Sequence, residues 1–132
     1  MERLALDTTF LIDLQREHAS PRKKLGAIAF LRERPTCELS LPVTALAEYL
    51  EGFDAGDQPA ARNVLAGVAL LETTEAVALR YASVARELRR AGRLIGTNDL
   101  WIGCTALTAD LPLVTRNADE LRRIPGLQVV SY

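Results

Sequence analysis

The sequence predicts an α/β fold in which helices cover both faces of a parallel β-sheet. Short apolar runs alternate with amphipathic segments along the whole chain, and this alternation is typical of parallel strands joined by helices. The 132 residues fit one domain, 1–132, and 48% hydrophobic with 25% charged residues is typical of a globular protein with an apolar core. No repeat, low-complexity tract or long linker divides the chain.

Five apolar runs predict the strands, and seven amphipathic segments predict the helices. The strands are expected at 4–6, 37–41, 68–71, 113–114 and 127–130. The helices are expected at about 8–17, 21–35, 43–53, 59–66, 75–90, 97–109 and 118–123. The clearest helix follows Thr74, which can cap it, and has Glu75 at its positive end and Arg89 and Arg90 at its negative end, as the helix dipole favours.

Composition excludes several classes of protein. The longest apolar run, 65–71, is far shorter than the roughly 18 residues of a membrane span, and the first residues lack a secretory signal pattern. We therefore expect a cytoplasmic protein with no membrane partner. Cys37 and Cys104 are isolated and His18 lies in a polar stretch, so any metal must be bound by oxygen. The net charge of -1 argues against non-specific coating of nucleic acid.

Polar residues stand where two predicted strands end, which is where open parallel sheets bind ligands. Asp7 directly follows the first strand, and Thr8 adds a hydroxyl at the same edge. Thr115 follows the fourth strand, with Asn117 and Asp119 shortly after it. Asp7 could instead cap the first helix, and one of Asn117 and Asp119 is expected to cap the short helix that follows.

Two further acids lie on predicted helices. Glu48 is two positions from Leu46, so it points about 200° away from the apolar stripe of its helix. Asp99 lies in the first turn of its helix, where the dipole favours a carboxylate, and Gly103 shares its face. A glycine there lowers helix stability by roughly 1 kcal/mol relative to alanine, which predicts that some group approaches that face closely. A solvated surface position is the alternative interpretation of each acid.

Taken together, these groups indicate a metal site. Three or four oxygen ligands from separate elements at one sheet edge match what Mg²⁺ or Mn²⁺ requires. Carboxylates this close would raise one another's pKa unless a cation neutralised them. One or two such ions can activate a water and stabilise the charge that develops on a phosphodiester during in-line displacement. A metal site of this kind is suited to hydrolysis of a phosphodiester bond.

Other α/β classes lack residues that they require. A haloacid-dehalogenase-type phosphatase needs a second Asp where this chain has Thr9, and it needs a late lysine, whereas Lys24 is the last lysine here. A receiver-like signalling domain needs paired acids after the first strand, an Asp after the third and the same late lysine. The third strand here runs into Glu72. The glycine-rich signatures of nucleotide binding are also absent.

Four motifs carry a family resemblance that runs nearly end to end. They are Leu6–Asp13 (LDTTFLID), Thr44–Gly52 (TALAEYLEG), Gly96–Ile102 (GTNDLWI) and Leu113–Leu121 (LVTRNADEL). With these motifs the chain resembles a PIN-domain ribonuclease, specifically the VapC toxins of bacterial toxin–antitoxin pairs. The resemblance implies a three-layer α/β/α sandwich with a parallel sheet of four or five strands. It also implies Mg²⁺- or Mn²⁺-dependent endonucleolytic cleavage of RNA, with tRNA or ribosomal RNA as the usual target.

The resemblance also assigns the site residues. Asp7 matches the family's first acid, Glu48 its second and Asp99 its third. Asp7 and Asp99 are the positions most expected to touch metal, with Glu48 adjacent or bridging through water. Thr115 matches the hydroxyl residue at the end of the fourth strand, and Thr8 is a supporting residue.

The fourth acid departs from the family pattern. Many PIN domains carry Asp two residues after the position of Thr115, where this chain has Asn117. An amide oxygen can coordinate Mg²⁺ or position a water, but it brings no negative charge. Either Asp119 is then the fourth catalytic acid, or the site works with three acids and holds its second metal weakly. A catalytically weakened PIN fold that only binds RNA or protein is the alternative that the substitution leaves open.

The resemblance implies partners as well. They are a cognate VapB-type antitoxin, whose C-terminal segment wraps the toxin, and a second copy of the chain in a homodimer or a larger toxin–antitoxin assembly. RNA binding is expected from the arginines nearest the site in sequence, which are Arg89, Arg90, Arg93 and Arg116. A solvated helix end is the alternative for these. Asp13, Glu51 and Asp110 are expected to be surface or capping residues.

Overall fold

The computed structural model describes residues 1–132 and contains a five-stranded sheet with strand order β3-β2-β1-β4-β5. The strands are β1 (Arg3–Leu6), β2 (Glu38–Pro42), β3 (Ala69–Leu71), β4 (Leu113–Val114) and β5 (Val129–Val130). Every neighbouring pair is parallel, so the carboxyl ends of all strands lie at one edge. The predicted parallel α/β sheet is confirmed, with five strands.

Seven helices connect and cover these strands. They are α1 (Thr8–Ala19), α2 (Ala27–Arg32), α3 (Val43–Glu51), α4 (Gln58–Val64), α5 (Glu75–Arg90), α6 (Thr97–Thr108) and α7 (Ala118–Leu121). Successive residues of β1 point to opposite faces of the sheet, yet Leu4, Ala5 and Leu6 are all buried. Both faces of the sheet are therefore covered at its centre, as in a three-layer sandwich. None of the helices combines the length and apolar character needed to cross a membrane.

The second helix begins later than the sequence pattern predicts. Gly26 has φ 97°, a left-handed conformation that glycine adopts without strain, and α2 begins only at the next residue. The buried Glu17 carboxylate accepts hydrogen bonds from the backbone N–H of Ala27 at 2.7 Å and of Ile28 at 3.3 Å. A side chain from α1 therefore caps α2, and Pro21 lies in the preceding turn.

The close approach expected at Gly103 comes from the protein core. A Cβ at this position would clash with Ile124 Cδ1 and lie 3.1 Å from Leu121 Cδ1. Both side chains are almost completely buried, so neither can move into solvent. The glycine therefore lets α6 pack against α7 and the residues after it, and the group that approaches this face closely is the apolar core.

Asp13 also differs from expectation, whereas Glu51 and Asp110 are exposed as expected. The Asp13 side chain is 1% exposed, and its carboxylate accepts hydrogen bonds from Arg116 and Tyr132. It is therefore a buried, fully partnered charge on α1 and not a surface residue.

Candidate active site

The pairing of β1 with β4 brings two site residues side by side at the carboxyl edge of the sheet. The backbone N–H of Asp7 donates to the carbonyl of Val114 at 3.0 Å. Immediately beyond this bond, Thr115 Oγ1 donates to Asp7 Oδ2 at 2.6 Å, and both side chains are almost completely buried. Sheet register therefore places the first acid and the hydroxyl after β4 in direct contact, although they are far apart in sequence.

Two further donors orient the Asp7 carboxylate. Thr9 Oγ1 donates to Oδ2 at 3.1 Å, and the backbone N–H of Thr8 donates to Oδ1 at 2.8 Å. The Thr8 bond makes Asp7 the N-cap of α1, so the capping interpretation holds alongside the site position. Burial raises the pKa of Asp7, the three hydrogen bonds oppose that rise, and the charge of Glu48 adds to it.

Glu48 is bonded to two other elements and is not a freely solvated surface acid. Thr8 Oγ1 donates to its Oε1 at 2.9 Å, and Asn98 Nδ2 donates to its Oε2 at 3.1 Å. Thr8 begins α1 and Asn98 lies in the first turn of α6, so Glu48 connects α3 to both helices. An open cleft of about 370 Å³ is lined by Glu48, Gly96, Thr97, Asn98 and Asp99, without an apolar side chain. Sequence reasoning missed Asn98, although it directly precedes Asp99.

Asp99 carries the clearest electrostatic sign of a site. It is half-buried in the first turn of α6, and Asn117 Nδ2 donates to its Oδ2 at 3.2 Å. Desolvation by burial, followed by the charges of Asp7, Glu48 and Glu120, raises the pKa of Asp99 to about 6. These four carboxylates, hereafter the acidic cluster, therefore interact electrostatically across three helices and the end of β1.

The fourth carboxylate of the cluster is Glu120 and not Asp119. Asn117 Nδ2 donates to Glu120 Oε2 at 3.3 Å as well as to Asp99. The Asp119 side chain is fully exposed and faces Arg122 at 3.7 Å. Neighbouring residues on a helix point about 100° apart, so only one of the two acids can face the cluster. The spacing of three residues from Asn117 to Glu120 is the signal that could have identified it.

The arginines expected to bind RNA occupy different surroundings. Arg89, Arg90 and Arg93 are exposed at and beyond the end of α5, and Arg90 lines a cleft that contains no residue of the acidic cluster. Arg116 lies in the turn after β4, where its Nη1 donates to Asp13 Oδ1 at 2.6 Å. A role in RNA binding stays a prediction for all four.

The donor set fits a hard divalent cation, although no three His, Cys, Asp or Glu side chains stand arranged to enclose one. Each carboxylate is instead held by protein donors, such as Thr115 on Asp7 and Asn98 on Glu48. The acidic cluster offers only oxygen ligands, which Mg²⁺ and Mn²⁺ prefer. Bound positive charge would also relieve the repulsion that raises the pKa of Asp99.

Known proteins are similar to this chain over nearly its whole length. The PIN domain family profile matches residues 4–127. Ribonuclease VapC1 of Haemophilus influenzae (strain R2866) is 33% identical over 129 residues, covering 93% of this chain and 92% of the relative. Ribonuclease VapC1 of Methanocaldococcus jannaschii is 24% identical over 131 residues, covering 98% of this chain and 87% of that protein.

Solved structures share the fold over nearly the whole chain. VapBC-1 from nontypeable Haemophilus influenzae has a TM-score of 0.80 at 30% identity, covering 98% of this chain and 97% of that one. VapBC2 from Rickettsia felis, bound to a DNA fragment from its promoter, has a TM-score of 0.84 at 21% identity, with 98% of both chains covered. At that identity the second likeness shows the fold alone.

Proposed function

The chain belongs to the PIN-domain family and, within it, to the VapC ribonucleases, and on this premise we propose that it is a divalent-metal-dependent endoribonuclease. It hydrolyses phosphodiester bonds of RNA, with tRNA or ribosomal RNA as the expected target, and it acts as the toxin of a toxin–antitoxin pair. The observation that supports the proposal most strongly is the acidic cluster, in which burial and then the charges of the neighbouring carboxylates raise the pKa of Asp99 to about 6. A site of this kind favours bound cations.

Asp7 and Asp99 are the proposed direct metal ligands, with Glu48 and Glu120 beside them. When bound, Mg²⁺ or Mn²⁺ supplies a Lewis acid for the phosphodiester and lowers the pKa of an attacking water. The protein's own contribution is to hold the ligands in place before the substrate arrives. Hydroxyl and amide groups from α1, α6 and the turn after β4 fix the carboxylates in orientation, which reduces the reorganisation needed on binding.

The alternative function, a catalytically weakened PIN fold that only binds RNA or protein, depends mainly on the presence of Asn117 in place of an acid. That substitution leaves three acids in the sequence pattern, which is why it favours loss of catalysis. In the structure Glu120 adds a fourth carboxylate, and the Asn117 amide donates to both Glu120 and Asp99. Asn117 therefore holds two acids in place, and the catalytic function is the better supported of the two.

Metal removal separates the two functions. Purified protein incubated with total RNA and Mn²⁺ or Mg²⁺ is expected to produce defined fragments, and excess EDTA is expected to stop cleavage completely. Adding back Mn²⁺ should restore it, which distinguishes chelation from denaturation. Binding of RNA without cleavage under every metal condition would instead favour the binding module.

Glu120→Gln compared with Asp119→Asn tests which acid completes the cluster. We expect Glu120→Gln to lower the cleavage rate by about tenfold and to raise the Mn²⁺ concentration required for half-maximal rate, because it removes a charge beside Asp99. Asp119→Asn is the matched control, since its exposed side chain faces only Arg122, and it should stay within about twofold of the wild-type rate. The reverse result would assign the fourth position to Asp119.

We also propose a VapB-type antitoxin as the partner, with a homodimer as the assembly and the cytoplasm as the location. The support for the partner is that VapBC-1 from nontypeable Haemophilus influenzae, at 30% identity, shares this fold. A short reading frame that abuts this one and encodes a small DNA-binding protein would supply the candidate. Co-purification of the two products tests the pairing.

A further inference from the structure

Asp13 is a buried charge that the proposed chemistry does not use. Its side chain lies on α1 and is 1% exposed, and both of its oxygens have partners. Oδ1 accepts a hydrogen bond from Arg116 Nη1 at 2.6 Å and lies 4.0 Å from Arg16 Nη1. Oδ2 accepts from the Tyr132 hydroxyl at 2.7 Å. Burying a charged pair has a desolvation cost that an apolar side chain would avoid, so the presence of Asp13 and its partners needs an explanation.

Arg116 connects this charge to the acidic cluster. It lies between Thr115, which donates to Asp7, and Asn117, which donates to Asp99. Its backbone N–H also donates to Thr9 Oγ1 at 3.0 Å. The Thr115–Asn117 turn is therefore bonded to α1 at two points, once through Thr9 and once through Asp13.

Tyr132 holds the other side of the Asp13 carboxylate. Its ring packs edge-to-face on the fully buried Phe10, with centroids 5.0 Å apart. Burial, together with the hydrogen bond and charge of Asp13, raises the pKa of Tyr132 above its ordinary value. The hydroxyl therefore remains a donor at neutral pH, and the Asp13 carboxylate is held on both sides.

We propose that Asp13, Arg116 and Tyr132 form a positioning network that fixes the Thr115–Asn117 turn against α1 and thereby orients the carboxylates of Asp7 and Asp99. In this proposal, which rests on the proposed ribonuclease function, Arg116 serves catalysis by holding the turn in place and not by contacting RNA. The Arg116 side chain is half-exposed, so a direct contact to phosphate is the role to be distinguished.

A double-mutant cycle on Asp13 and Arg116 separates these roles, because the buried Asp13 cannot touch RNA. Cleavage of an RNA oligonucleotide at saturating Mn²⁺ gives kcat and KM for Asp13→Asn, Arg116→Met and the double variant. We expect each single change to lower kcat by about 10- to 100-fold with KM within about twofold, and the double variant to be no worse than the more severe single. Arg116→Lys keeps the positive charge and Tyr132→Phe keeps the ring, so both should lower kcat less than Arg116→Met or Asp13→Asn.

Arg3→Met is the matched control, since it removes an exposed ion pair with Glu38 at the opposite edge of the sheet. It should leave kcat and KM unchanged. The proposal is overturned if Arg116→Met raises KM and makes KM less dependent on salt concentration, while Asp13→Asn keeps the wild-type kcat. It is also overturned if the folded variants lose thermal stability but keep the wild-type kcat, because the network would then be structural only.

Amide hydrogen exchange provides a second readout that needs no RNA cleavage. We expect the Arg116 amide, which donates to Thr9, to exchange faster in Asp13→Asn, Arg116→Met and Tyr132→Phe than in the wild type or in Arg3→Met. Wild-type exchange rates in all three variants would overturn the network. If the wild-type protein fails to cut RNA at all, the proposed function fails, and the exchange result still decides whether the network holds the turn.

Discussion

Asp7→Asn is expected to reduce RNA cleavage by about a thousandfold or more while the protein keeps its fold. The substitution removes one negative charge from the most buried member of the acidic cluster without changing the size of the side chain. The amide oxygen can keep the hydrogen bond from the Thr8 backbone, and the new NH₂ group then faces the hydroxyls of Thr9 and Thr115. Hydroxyls can rotate to accept, so the local packing survives.

Initial cleavage rates and thermal melts of the same preparations check this prediction. Asp110→Asn is the matched control, because it makes the same change at an exposed residue before β4, and its φ of 56° is one that Asn tolerates well. We expect wild-type cleavage and a wild-type melt in the control. Asp7→Asn should melt at or above the wild-type temperature, because burial raises the pKa of Asp7 and its charge therefore opposes folding. A wild-type rate in Asp7→Asn would remove Asp7 from the site.

The strands and most helices are predictable from the sequence because their signals are local. Apolar runs bounded by polar residues locate β1 and β4, and Thr74 caps α5 as its position predicts. The start of α2 is not predictable in this way. It depends on Gly26 and on the Glu17 carboxylate, which reaches the Ala27 N–H from another helix. A cap supplied across a turn leaves no periodic pattern in the sequence.

The same distinction between local and distant contacts applies to the site. Asp7 and Thr115 can be placed at one edge because every strand of a parallel sheet ends there. Asp13 resembles a surface acid on an amphipathic helix, and its partners Arg116 and Tyr132 are 103 and 119 residues away. Asp119 and Glu120 are adjacent acids, and only the orientation of α7 decides which one faces the cluster.

Asp99→Asn is expected to abolish cleavage and, in the absence of metal, to raise the free energy of unfolding by about 1–2 kcal/mol at about pH 7.5. The pKa of Asp99 is about 6 in the folded protein against an ordinary value of 3.8, so folding opposes its ionisation. The folded state then binds the proton more tightly, and stability falls as the pH rises from about 4 to about 6. Asn does not ionise and escapes this loss. The full pKa shift would predict a larger increase in the free energy of unfolding. The increase is smaller because the carboxylate is half-solvated and the start of α6 favours its charge.

Urea unfolding in EDTA at about pH 4 and about pH 7.5 tests the sign of this effect. The two proteins should be nearly equally stable at the lower pH, and Asp99→Asn should be the more stable at the higher one. Added Mn²⁺ should then stabilise the wild type and have little effect on the variant, because a ligand that binds only the folded state raises its stability. An Asp99→Asn protein that is less stable than the wild type at about pH 7.5 in EDTA would contradict the prediction. Burial and the repulsion of the neighbouring carboxylates, which together raise the pKa of Asp99, would then be too weak to explain why these residues favour a bound cation.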